Sequence, residues 1–261
     1  MIYLGTPGRM IGLKCPASQQ VSSEDRFTFQ TTLEGRRKAQ VRPRGARTWA
    51  LQTSDATSPE DAAKIAEFAD GAWGLGPFWF LPAEATYANV LPPINQPFGG
   101  HIDGGPMTLA GGGIAPFSVE RSEGSAGTLQ FTGDDPPVIP GRSITGSVWL
   151  IGEGATCLLQ FFDITDTVIG SASSPKTSGS DAGVRVHVTA MPPAGTAKVR
   201  ITVRNGIRAA RPSITYTDKV MPYAGGMGCP KAILHGMSNN LVMTGTLATY
   251  SGVGFQITEV D

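Results

Sequence analysis

Asp70-Gly71-Ala72-Trp73-Gly74-Leu75-Gly76-Pro77-Phe78-Trp79-Phe80-Leu81-Pro82 gathers three glycines, two prolines, two tryptophans and two phenylalanines into thirteen consecutive positions. Glycine lets a backbone turn where a side chain would forbid it, and large rings need a core to enter. A turn that launches a strand over Phe78, Trp79, Phe80 and Leu81 is therefore expected. What the corner joins is decided by the chain on either side.

Immediately upstream lies the one convincing helix signal, over about residues 58–70. Ser58 is a good N-cap, Pro59 suits the first helical position, and Glu60 and Asp61 complement the positive end of the helix dipole. Ala62, Ile65, Ala66 and Ala69 follow at helical spacing beside Phe68, and Gly71 is the natural stop. Further upstream, Arg47-Thr48-Trp49-Ala50-Leu51-Gln52-Thr53 alternates, which puts Trp49 and Leu51 on the buried face of a strand. Residues 26–33 read as another strand, with Phe27 and Phe29 on one face, closed by a Glu34-Gly35 turn. A basic run of Arg36, Arg37, Lys38, Arg42, Arg44 and Arg47 separates the two. Residues 1–20 read as an irregular arm or a first edge strand.

Downstream the texture changes. Residues 95–116 carry Gly99-Gly100, Gly104-Gly105 and Gly111-Gly112-Gly113 with almost no charge, the composition of a linker or loose loop. From about 117 to 222, strand-like runs at 127–131, 143–151, 157–163, 184–190, 198–203 and 214–216 alternate with turn signals such as Pro140-Gly141 and Pro192-Pro193-Ala194-Gly195. No helix of useful length interrupts them, so an antiparallel β-sandwich, a jelly roll, is expected. A second corner at 222–230 leads to candidate strands at 233–237, 241–247 and 251–260. A few short strands are marginal alone in water and need another sheet. The fold class expected is therefore mainly β. Residues 1–95 together with 223–261 form one discontinuous β-sandwich with a single α-helix, and 96–222 form the inserted jelly roll.

Composition and motifs narrow the chemistry. The 261 residues carry 21 basic and 21 acidic side chains, so no global charge favours nucleic acid or an anionic membrane. The basic run lacks interleaved aromatics apart from Trp49 and reads as a solvated strand face or one that meets acidic neighbours. No apolar run is long enough to cross a bilayer, and Met1-Ile2-Tyr3-Leu4-Gly5-Thr6-Pro7 lacks the pattern of a secretion signal. The chain is expected to act where it is made or in a particle assembled there.

Cys15, Cys157 and Cys229 are odd in number and read as reduced thiols, with a Cys15–Cys229 contact left open. There is no P-loop, no His-Glu-x-x-His and no Gly-x-Ser-x-Gly, and His101, His187 and His235 are scattered. Neither catalytic residues nor a metal or cofactor is expected. Two alternatives rest on carboxylates: Asp134-Asp135 as a calcium site, and Asp163 with Asp166 as a glycosidase pair. Against the second, the 162–168 run reads as a hairpin in which Asp163 supplies turn hydrogen bonds. Rings in the sandwich that could stack on a sugar are Trp149, Phe161, Phe162 and Tyr216, with core packing the default for each.

Arg47-Thr48-Trp49-Ala50-Leu51, the Ser58-Pro59-Glu60-Asp61 helix start, the 71–80 stretch and Tyr87-Ala88-Asn89-Val90-Leu91 together resemble minor tail proteins of siphophages, especially those of actinobacteria. Ile139-Pro140-Gly141-Arg142-Ser143, Leu159-Gln160-Phe161-Phe162-Asp163 and Met191-Pro192-Pro193-Ala194-Gly195 resemble the carbohydrate-binding jelly rolls that such proteins carry. The arrangement is similar to a distal tail protein with a belt domain and an inserted sandwich. The resemblance implies a ring of identical copies at the distal end of a virion tail, a hexamer or a trimer, assembled in the host cytoplasm. Its implied partners are the tail tube, the tape-measure protein and the tail-tip hub. It further implies that Trp49, Trp73, Phe78, Trp79 and Phe80 serve the core or subunit contacts. The insertion would contact host-surface glycan through Trp149, Phe161 and Tyr216, or act as a spacer or docking surface. The expected role is structural and non-enzymatic, with a glycan-binding adhesion module as the alternative and a glycoside hydrolase as the distant one.

Overall fold

A computed structural model describes residues 1–14, 16–24, 27–41, 45–54, 57–93, 98–99, 107–109, 119–121, 128–131, 133–178, 183–238, 241–244, 247–250 and 252–260. The chain is mainly β, with one α-helix and antiparallel sheets in a sandwich arrangement. The first strands are β1 (Ile2–Thr6), β2 (Arg9–Leu13), β3 (Ser18–Ser23), β4 (Phe27–Thr31), β5 (Arg37–Val41) and β6 (Arg47–Gln52). Helix α1 (Pro59–Ala69) and β7 (Phe78–Leu81) follow, then a short 3-10 turn at Ala83–Thr86. Next come β8 (Phe98–Gly99), β9 (Met107–Leu109), β10 (Val119–Arg121), β11 (Thr128–Phe131), β12 (Ile144–Ile151), β13 (Thr156–Phe162) and β14 (Val168–Ser173). The remainder are β15 (Val184–Ala190), β16 (Lys198–Arg204), β17 (Arg208–Thr215), β18 (Cys229–Ser238), β19 (Leu241–Thr244), β20 (Leu247–Tyr250) and β21 (Gly254–Glu259).

The chain divides into two compact units. The first comprises Met1–Ile2, Gly12–Phe78 and Lys231–Asp261. Its strands run in the order β18-β21-β6-β3, all antiparallel. Trp49, Leu51, Phe255 and Ile257 are buried, as are Ala62, Ile65 and Phe68 of α1. The opposite strand face is small and polar, with Gln20, Ala50 and Gln256 in one row and Ser18, Gln52 and Gly254 in the next.

Helix α1 starts as its sequence dictates. The Ser58 hydroxyl accepts from the Asp61 amide at 3.2 Å and donates to the Asp61 carboxylate at 2.6 Å. Lys14 adds an ion pair at 2.7 Å, and these hydrogen bonds hold the Asp61 carboxyl below its usual range. The helix stops at Gly71, whose φ of 79° lies in the left-handed region, and the Ala72 amide closes back on the Glu67 carbonyl at 2.8 Å. Trp73 then stacks on Phe68 at 5.2 Å and donates to Glu67, while Phe78 meets the same Phe68 ring edge-on. Arg47 spans Glu259 through its Nε at 3.0 Å and lies over the Trp49 ring at 4.8 Å.

The second unit comprises Tyr3–Ile11 and Trp79–Pro230. Two five-stranded sheets, β15-β12-β17-β10-β9 and β14-β13-β16-β11-β8, enclose one core. From β10 to β17 the chain passes between the sheets in the sequence of a jelly roll, with β13–β14 as the hairpin. The core runs from Tyr3, Trp79 and Leu81 through Val90 and Leu91 to Leu159, Val199, Ile201 and Ile214. Gly228 is obligatory here, because a Cβ would stand 2.1 Å from the Val90 carbonyl oxygen.

Several expectations are revised. The unit boundaries fall at Phe78/Trp79 and Pro230/Lys231 rather than at 95/96 and 222/223. The reason is that 79–91 is tied into the sandwich: the Asn89 amide donates to the Pro212 and Ala224 carbonyls, Tyr216 N to Thr86 O, and Val90 N to Ile214 O. The expected arm at 1–20 contains β1, whose Ile2 and Leu4 are fully buried and which pairs with β7 through Tyr3↔Leu81 and Gly5↔Trp79. The expected linker contributes β8 and β9, and the rest of 95–116 lies outside the described residues. The single strand expected at 241–247 is part of a hairpin, β19–β20. Exposed β14 was missed, because its Gly and Ser content carries little strand signal. Phe29 does not face a core: hairpin β4–β5 pairs only with itself, and Phe29 is 63 % exposed.

Candidate functional site

Strand β12 positions the candidate site. Ile144, Val148 and Leu150 point into the core, so Thr145, Ser147 and Trp149 face outward. On neighbouring β15 the directly opposed residues are Thr189, His187 and Arg185. A bulge in the pairing with β17 leaves Arg211 and Pro212 across from Val148, and Arg211 adopts a φ of 51°. Its guanidinium lies 5.4 Å from the Tyr223 ring, which is exposed.

The segment after β17 lies against this face. Thr145 donates to the Thr217 carbonyl at 2.7 Å, and Arg185 donates through Nη2 to Ser147 Oγ at 2.9 Å and the Met221 carbonyl at 2.6 Å. Both acceptors of Arg185 are neutral. Burial without a carboxylate neighbour pulls its guanidinium below the usual range. Trp149 is half-buried, and its enclosed Nε1–H has no acceptor.

Beside Arg185 a half-open cleft of about 350 Å³ lies between β15 and the segment after β14. Leu150, Val184 and Val186 give it apolar lining, and Lys176, Arg185 and His187 border it. The hydroxyls of Ser174 and Thr177 also line it but serve the backbone, donating to Pro175 O and Gly152 O. Among the described lining residues none is acidic.

Of the rings expected to meet a sugar, only Trp149 is partly open. Phe161 is 2 % exposed in the core, and Tyr216 is 3 % exposed with its hydroxyl donating to the Pro137 carbonyl; burial raises its pKa. Phe162 is buried beneath Arg200, which sits 4.6 Å from the ring. Trp49, Phe78, Trp79 and Phe80 are all buried, and Trp73 is half-buried on Phe68.

The carboxylate candidates serve structure. Asp163 Oδ1 accepts from the amides of Thr165 and Thr167 and the Thr165 hydroxyl at 2.7–2.9 Å, which keeps its carboxyl below the usual range. Asp166 pairs with Lys198. Burial pushes Asp135 upward, and a bidentate grip by Arg200, with contacts of 2.6–3.0 Å, pulls it part-way back. Among the described residues no group of three or more His, Cys, Asp or Glu could hold a metal ion, and no helix is long and apolar enough to cross a membrane. Cys157 and Cys229 are buried thiols, and burial pushes Cys157 up to about 12. Cys15, His101, Arg42 and Arg44 lie outside the described residues.

No known protein family matches this sequence, and no curated protein does. Solved structures similar to it include the enzymatically active domain of bacteriophage CBA120 tailspike protein 4, at 12 % identity over 57 % of this chain and TM-score 0.34. Another is the CBM22-1–GH10 portion of Clostridium thermocellum xylanase 10B, at 13 % identity over 53 % and TM-score 0.35. A family 29 carbohydrate-binding module shows 18 % identity over 53 % of this chain and 99 % of its own, with TM-score 0.35. This chain spans 20 % of the tailspike chain and 30 % of the xylanase chain.

The sequence had pointed to rings as the site. It missed Arg185 and Lys176, because nothing in Val184-Arg185-Val186-His187 distinguishes a site arginine from a solvated strand residue.

Proposed function

We propose that the chain is a structural, non-enzymatic component of a bacteriophage tail, forming a ring of identical copies at the distal end. The ring would join the tail tube to the receptor-binding apparatus, beside the tape-measure and hub proteins. The observation that carries this reading is hairpin β4–β5. It pairs only with itself among the described strands, and it exposes Phe29 and a fully exposed Leu33. An isolated hairpin is marginal in water and gains stability from a covering surface. Arg36, Arg37 and Lys38 give it a basic edge, whereas the outward side of α1 in the same unit carries Glu60, Glu67 and Asp70. The hairpin of one copy against the helix of the next is a head-to-tail contact that closes into a ring.

Light scattering of the purified protein and images of negatively stained particles test this. Closed oligomers are expected, lost when 28–40 is replaced by a short Gly-Ser turn. A strictly monomeric protein that is absent from purified virions overturns the reading.

A second reading, a glycan-binding module in contact with the host surface, is favoured by the cleft beside Arg185. The protein is then expected to be retained on host cell envelopes.

A further inference from the structure

The rim of the sandwich cleft has donors to spare and few acceptors. Lys176 has no ion-pair partner among the described residues. Arg185 uses only Nη2, on two neutral oxygens, which leaves Nη1 and Nε for a further acceptor. Trp149, directly opposite Arg185 in the sheet, holds a buried Nε1–H with none. An enclosed donor without an acceptor costs about 1–3 kcal/mol and calls for an explanation. The cleft hydroxyls already serve the backbone, so the acceptors that would satisfy this rim must come from outside.

We propose that this rim binds a saccharide unit bearing a carboxylate or a phosphate. The acid group pairs with Arg185 and Lys176, and a ring oxygen or hydroxyl accepts from Trp149 Nε1. The sugar's C–H face packs on Leu150, Val184 and Val186. Charge-assisted bonds to guanidinium and ammonium are the strong ones, and planar bidentate recognition favours the arginine. A small inorganic anion would satisfy the charges but leave the apolar lining and half-open indole unused. A neutral sugar would use the lining but leave the charges unanswered. The cleft volume of about 350 Å³ falls in the range of small-ligand sites, about 300–1,000 Å³.

This inference rests on the glycan-binding reading, and the experiment separates the two. The full chain is titrated calorimetrically with three probes: a tetragalacturonate, a glycerol-phosphate hexamer and neutral cellohexaose. Retention on host envelopes is measured in parallel. One acidic probe is expected to bind, and which one does identifies the acid group. Its affinity should fall with added salt and should drop about tenfold in Lys176→Gln and in Arg185→Gln. Trp149→Phe, which keeps a ring but removes the N–H, should weaken it by several-fold, with unfolding midpoints of the Lys176 and Trp149 variants unchanged. Lys176 is exposed, so its variant remains informative if Arg185→Gln disturbs the segment it anchors. Equal binding of cellohexaose overturns the acid assignment and leaves the glycan reading standing. Envelope retention that survives Lys176→Gln and Trp149→Phe overturns this site alone. No retention and no binding of any probe overturns both.

Discussion

Leu159 and Leu33 are the same residue type in the two units. Leu159 is wholly buried between the sheets of the sandwich; Leu33, at the tip of hairpin β4–β5, is fully exposed. The contrast extends to their surroundings. The sandwich unit draws Tyr3, Trp79 and the strands from β11 to β17 into one core, whereas the unit holding α1 keeps a smaller core and leaves a hairpin and a polar strand face uncovered. A single copy thus satisfies the sandwich and leaves the other unit with surface for a neighbour. Function is expected to divide along the same line, with assembly in the unit that exposes and recognition in the unit that encloses.

The hardest test of this contrast is Trp79→Ala. Trp79 is buried in the sandwich core, so the loss should be about 3–5 kcal/mol. It should appear in chemical denaturation as an earlier transition of the sandwich unit, followed by fluorescence of the remaining tryptophans. A change within error would mean that β7 is peripheral to that core. Arg47→Ala should act on the other unit. It strands a nearly buried Glu259 carboxylate and is expected to cost about 3 kcal/mol. If the two units unfold independently, Trp79→Ala and Arg47→Ala shift different transitions, and a single shared shift would erase the division.

Ser58→Ala removes the helix cap and should cost about 1 kcal/mol. The pH dependence of the same helix end follows from Asp61, whose folded carboxyl lies below its unfolded value of 3.8. The unfolded chain therefore binds the proton first. The stabilisation is complete above that value and is lost as pH falls through the folded one. Asp61→Asn should flatten acid unfolding of this unit between those limits. The smallest expected effect on folding is that of Leu33→Glu, within about 0.5 kcal/mol. The same variant should weaken self-association about tenfold in sedimentation velocity, since a leucine that enters an interface contributes about 1.5–3 kcal/mol. An unfolding penalty without a change in association would place Leu33 in its own chain's packing.

Much of the fold was legible where a local signal had no rival. The Ser58 cap, the Gly71 stop and the Asp163 turn stand as read, because each depends on residues within five positions of one another. Strands β12, β13, β15 and β16 lie within one residue of their expected bounds, since alternation and flanking turns mark them. The site was less legible. Val148, Trp149 and Leu150 are apolar on both faces of β12, so alternation alone could not say which face meets the core. Phe161 and Tyr216 looked equally suited to a sugar or a core until their burial separated them from Trp149.

By itself the sequence determined the class, the single helix and the corner at 70–82, because capping, glycine conformation and period-two burial act over a few residues. The tertiary structure decided three further things. It assigned Trp79 to the sandwich core and Trp73 and Phe78 to the Phe68 ring, splitting one continuous stretch between two units. It left hairpin β4–β5 uncovered. It also set Arg185 opposite Trp149, an adjacency fixed by the register between strands distant in the chain. Register and sheet order come from pairing and packing between distant segments, which no local pattern encodes.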